Sequence, residues 1–128
     1  MSEPFWLTRR MIIAIHDEQL VIHGGASGLR DEGMLDPALD RPRNKWSSEN
    51  ADLAELAAAY AFGIARNRPF VDGNKRMSLL ALYTFLGVNS IDFIVPEAEA
   101  AAIILSLAAG EVSEQGLTRW IRDNWNSK

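Results

Sequence analysis

The stretch DLAELAAAYAFGIARNRPFVDGNKRMSLLALYTFL, residues 52–86, decides the fold. Asp52 with Glu55 three residues on resembles a capping box in which Asp takes the Ser/Thr place. Leu53, Leu56, Ala57, Tyr60, Ala61 and Ile64 then form an alanine-rich apolar stripe at helical spacing, running as far as Arg66. A second strong helix spans residues 74–86, with Gly87 as its expected left-handed end. Between the two lies RPFVDGNKR, residues 68–76, in which Phe70 and Val71 are expected to anchor the loop in the core.

Outward from this pair the same period continues. Met11, Ile12, Ile15, Leu20 and Ile22 mark a helix over residues 8–23, stopped by Gly24-Gly25. Residues 24–43 are the least regular part. Within them Asp36-Pro37 reads as a cap followed by a first-turn proline, opening a short helix that Arg41-Pro42 ends. Pro96 opens an alanine-rich helix closed by Gly110, and Ser113 caps a last one through Trp125, with Trp120 at the edge of the core. Residues 90–95 read as a short strand or an extended link. The expected fold is all-α: a compact bundle of about six helices, one domain over residues 1–128, with no real sheet.

Composition narrows the chemistry. The chain has 128 residues, 48% of them hydrophobic, 23% charged, no cysteine and a formal charge of −4. Thiolate nucleophiles, disulfides and cysteine-ligated metals are excluded. No apolar run reaches the ~18 residues of a membrane span, and MSEPFWLTRR lacks a signal-peptide core, so a cytoplasmic protein with no membrane partner is expected. The acidic balance argues against direct nucleic-acid binding.

The loop supplies the chemistry. Gly73 permits positive φ and close backbone approach, and the helix after it points unpaired N–H groups at the loop. Asn74, Lys75 and Arg76 add side-chain donors to this ready-made phosphate site. Asp72 offers one hard oxygen, suited to a magnesium ion that keeps most of its ligands as water and phosphate. The bland alternative is a capped Asp-Gly turn with Lys75 and Arg76 merely solvated.

RPFVDGNKR resembles the central motif of the Fic/Doc superfamily, His-Pro-Phe-x-Asp/Glu-Gly-Asn followed by Lys-Arg or Gly-Arg. IHDEQLVIHGGASGLRDEGMLDPALDRPR, from Ile15 on, is similar to the opening helix, Gly-Gly turn and flap of its Doc branch. The resemblance implies a nucleotide-dependent transferase acting on a protein hydroxyl. Motifs that transfer AMP carry a glycine and a second arginine where this chain has Lys75 and Leu79, and both changes agree with the Doc branch. That branch implies a toxin of a toxin–antitoxin pair that moves the γ-phosphate of ATP onto a threonine of elongation factor Tu and arrests translation. It is held in check by a Phd-like antitoxin that folds into a groove. By position, Asp72 would hold Mg²⁺. Gly73, Asn74 and Arg76 would cradle phosphate, Lys75 would stabilise the transferring group, and Arg66 would face the same pocket. An AMP-transferring Fic enzyme and a non-catalytic antitoxin-binding or co-repressor module are the alternatives.

One motif position departs from the family. Arg68 stands where the resemblance puts the catalytic histidine, the general base that typically contributes ~10²–10⁴-fold. A guanidinium offers donors only and cannot take a proton from a hydroxyl. Arg68 marks either a naturally inactive or repurposed member or, as we favour, a detoxified variant. The chain is expected to be inactive or nearly so. His16 and His23, both in the first helix, are read as structural or capping residues, and residues 28–43 as a flap that docks the target.

Overall fold

A computed structural model describes residues 2–125. Six helices follow one another: α1 (Arg9–His23), α2 (Glu32–Glu49), α3 (Leu53–Asn67), α4 (Asn74–Val88), α5 (Glu97–Ala108) and α6 (Glu114–Trp125). Among the described residues there is no strand; residues 91–96 are an extended link. The all-α expectation holds.

α3 is the axis, packed against α2, α4, α5 and α6. Ten of its fifteen residues are buried, six of them alanines, and these small side chains let four helices close around it. Its start is the expected box: the Asp52 carboxylate accepts the Glu55 N–H at 2.9 Å, and Glu55 Oε1 accepts the Asp52 N–H at 3.0 Å. Midway along α3, Tyr60 lies wholly inside, its hydroxyl accepting the Leu7 N–H at 2.9 Å and its ring centroid 5.0 Å from that of Phe85. Ser78 of α4 donates to the Ala61 carbonyl at 2.6 Å, tying the two motif-bearing helices together beneath their loop.

Three local readings are corrected. The short helix expected at Asp36-Pro37 is instead the eighteen-residue α2, capped by Asp31, whose carboxylate accepts the Gly33 N–H at 2.8 Å. Pro37 and Pro42 both lie inside it. Each removes one backbone donor, ordinarily at a cost of ~3 kcal/mol. The helix persists because Leu35, Ala38, Leu39 and Pro42 are buried along its face toward α3, which overrides local propensity. Gly87 does not end its helix in a left-handed turn: α4 continues to Val88, and Ser90 at φ 68° makes the reversal. Val71 is exposed rather than a core anchor, because the motif loop turns it outward. Phe70, next to it, is buried as expected. Trp120 packs at the core edge against Phe93, also as expected.

Candidate functional site

The loop between α3 and α4 is held from three directions. Arg68 terminates α3 in a left-handed conformation (φ 49°, ψ 57°), its N–H donating to the Ile64 carbonyl at 2.9 Å. Arg30 lies across that helix end: Nε donates to the Arg68 carbonyl and Nη2 to the Asn67 carbonyl, both at 2.9 Å. These are the carbonyls a helix terminus leaves unpaired. The backbone around Arg30 completes the clamp. Its N–H donates to the Pro69 carbonyl at 2.7 Å, the Val71 N–H donates to Gly28 at 3.0 Å, and Leu29 and Phe70 form an isolated antiparallel bridge. The flap is therefore the short segment before α2; residues 32–43, expected to extend it, are helical.

Asn74 locks the loop from the other side. Its Oδ1 accepts the Phe70 N–H and its Nδ2 donates to the Phe70 carbonyl, both at 2.9 Å. Its role here is to shape the loop, and what it presents to a ligand is its backbone amide. Gly73, at φ 83°, caps α4 with no side-chain bond, and the first bond into the helix is Met77 N–H to the Gly73 carbonyl at 2.9 Å. The amides of residues 74–76 thus face the open end, where the helix dipole favours an anion.

A cavity of about 490 Å³ opens at this helix start, lined by Ala65, Arg68, Val71, Asp72, Gly73, Asn74, Lys75, Arg76 and Ala108. Three of these are exposed cations, and none forms a side-chain ion pair among the described residues. Asp72 is the one carboxylate in the lining. The structure therefore brings together all the site residues named from sequence except Arg66. Arg66 lines a neighbouring cavity of about 590 Å³ with Arg41, Phe62 and Glu114, its guanidinium 5.7 Å from the Phe62 ring centroid. Ala65 and Ala108 line both cavities, so the two adjoin.

Among the described residues there is no group of three or more His, Asp or Glu side chains able to hold a metal by itself. A single carboxylate beside this cavity fits a magnesium ion that arrives with its nucleotide and keeps phosphate and water as most of its ligands. His23 is exposed at the end of α1, away from the lining. His16, by contrast, is buried beneath the loop and touches Asp72, a contact that sequence reasoning missed. Arg30 was missed likewise. Nothing in local spacing signals either, since their partners lie 56 and 37–38 residues away.

Fold and site together define an all-helical protein with a cavity lined by three cations at the start of α4. The chain belongs to the Fic/DOC family, whose model matches residues 6–86. It is 30% identical over 117 residues to the protein kinase doc of Escherichia phage P1, covering 91% of this chain and 92% of that protein. It is 40% identical over 85 residues to the toxin Doc of Mycolicibacterium smegmatis, covering 62% and 65% respectively. Within the family it falls on the Doc branch.

Proposed function

We propose that this chain is a Doc-type toxin whose cavity takes ATP with Mg²⁺, built to pass the γ-phosphate to a threonine hydroxyl of elongation factor Tu in the cytoplasm. The observation that carries the reading is the set of cations, Arg68, Lys75 and Arg76, without an ion pair among the described residues, around the open amides of α4 with Asp72 beside them. Phosphoryl transfer asks mainly for positioning and charge neutralisation, and this site is organised for both. Gly73 and the amides of residues 74–76 cradle phosphate oxygens, while Lys75 and Arg76 offset developing charge. Asp72 holds the metal, which when bound neutralises phosphate charge.

Arg68 is the missing part. The lining offers no histidine, and Arg68 binds anions without accepting a proton. The chain as it stands is therefore inactive or nearly so, yet competent to bind nucleotide. A Phd-like antitoxin is its partner in this reading. The kinase name of the phage relative supports phosphate over AMP transfer, as do Lys75 and the partly buried Leu79 at the two positions that differ in AMP-transferring motifs.

Incubation with ATP, Mg²⁺ and elongation factor Tu, beside an Arg68→His version, tests this. The Arg68→His protein should add one phosphate to the target and exceed the unaltered chain by ~10²–10⁴-fold. Equal rates in the two proteins, or an added AMP, would refute it. Absence of ATP binding even in Arg68→His would leave a non-catalytic antitoxin-binding module.

A further inference from the structure

We propose that His16 and Gly25 are positioning residues for the Asp72 carboxylate, which makes the middle of α1 and the glycine turn after the helix part of the metal–nucleotide site. The inference rests on the nucleotide reading above and adds to it which residues aim the metal-binding oxygens.

His16 is only 3% exposed. Its Nε2 lies 2.8 Å from the Asp72 carbonyl oxygen, and a carbonyl can only accept, so Nε2 carries a proton and donates. The imidazole has little freedom to turn away, since it stacks on Phe70 with centroids 4.0 Å apart and planes 15° from parallel. Gly25 acts on the other end of Asp72. At φ 113° its bare Cα faces the carboxylate so closely that a Cβ would sit 2.8 Å from Oδ2. The remaining oxygen, Oδ1, accepts the Gly73 N–H at 2.9 Å. The main-chain carbonyl and Oδ1 of Asp72 are thus each held by a hydrogen bond, and Oδ2 occupies space that only a glycine at position 25 leaves open.

His16 shares Phe70 with the contacts that hold the loop, but its hydrogen bond acts on Asp72 itself. Asn74, Arg30 and the Leu29–Phe70 bridge secure residues 67–71, and none of them touches Asp72. His16 and Gly25 approach Asp72 from α1 alone. What they add is the direction of one carboxylate. With a single protein carboxylate to offer, the metal depends on that direction, because no second carboxylate compensates for a misaimed one.

The test is calorimetric titration of ATP into the full chain with and without MgCl₂, for the unaltered protein and for His16→Phe, His16→Gln and Gly25→Ala. His16→Phe keeps a ring to stack on Phe70 but has no donor; His16→Gln keeps a donor. Thermal melts establish that each variant is folded, and Gly25→Ala, in a surface turn, keeps the test open if His16→Phe is not. The Mg²⁺-dependent gain in ATP affinity should fall by about tenfold or more in His16→Phe and Gly25→Ala, a usual effect of losing a residue that orients a metal ligand. Metal-free ATP affinity should stay unchanged, and His16→Gln should recover most of the gain. If the folded variants keep the full gain, or lose metal-free affinity in parallel with it, the positioning role is wrong. If the unaltered chain gains nothing from Mg²⁺, the nucleotide–metal reading fails first and the positioning role falls with it.

Discussion

Asn74 pairs with both backbone groups of Phe70, accepting its N–H and donating to its carbonyl at 2.9 Å each, so one side chain substitutes for a turn of main chain. Phe70 is 1% exposed, and cutting Asn74 back removes the side-chain partner of both its N–H and its carbonyl. Each buried group left unpaired costs about 1–3 kcal/mol. Asn74→Ala should therefore lower unfolding free energy by about 2–4 kcal/mol in urea titration, and Asn74→Asp, which keeps only the acceptor, by less.

Gly63 of α3 packs against Ala38 of α2. A Cβ on Gly63 would sit 3.1 Å from the Ala38 Cα and 3.2 Å from its carbonyl oxygen. Alanine gains ~1 kcal/mol over glycine in helix propensity, but overpacking a close backbone contact costs about 1–3 kcal/mol. Ala38 is main chain and methyl, with nothing flexible to yield, so the second effect wins. Gly63→Ala should lower the melting temperature, and Gly63→Leu should lower it further.

Arg68 holds a left-handed conformation that costs a non-glycine residue about 1–3 kcal/mol. Arg68→Gly should stabilise the fold by about 1 kcal/mol, since glycine is the natural residue just past a helix end. The same change removes one of the cavity's cations, so affinity for inorganic triphosphate should drop as the melting temperature rises. Opposite movement of the two readouts in one variant is the specific expectation.

Burial pushes the Tyr60 hydroxyl up to about 12 from an ordinary 10.0, outweighing the opposing pull of its bond from the Leu7 N–H and of Arg43. The folded state thus holds this proton more tightly than the unfolded chain. The stability this contributes is fully present below pH 10 and is lost as pH rises through the folded value. Tyr60→Phe removes the titration and leaves the Leu7 N–H unpaired. Stability measured from pH 9 to 12 should fall for the unaltered chain and fall less steeply for Tyr60→Phe, which starts lower.

The period of the apolar residues made five of the six helices legible, because α1, α3, α4, α5 and α6 each repeat apolar residues at helical spacing and carry recognisable start signals. Thr8 caps α1 through the Met11 N–H, and Ser113 Oγ accepts the Gly116 N–H at the start of α6. α2 was misread because local rules treat each proline as a boundary, whereas its burial against α3 compensates for both. The candidate site was legible as a contiguous motif: six of its seven named residues line one cavity. Arg66 was not, because its side chain leaves α3 on the side of the adjoining cavity, against Phe62, while Arg68 beyond the helix end lines the first.

What the sequence determined by itself is what depends on near neighbours in the chain: helix period, caps, the glycine that opens α4, and the order of the motif that marks the family. Tertiary structure alone decided what depends on distant segments meeting. It placed His16 beneath Asp72, laid Arg30 over the end of α3, and carried α2 through two prolines. The physical reason is that period and capping act within one turn of chain, while a hydrogen bond across 56 residues exists only after the helices between its partners have packed.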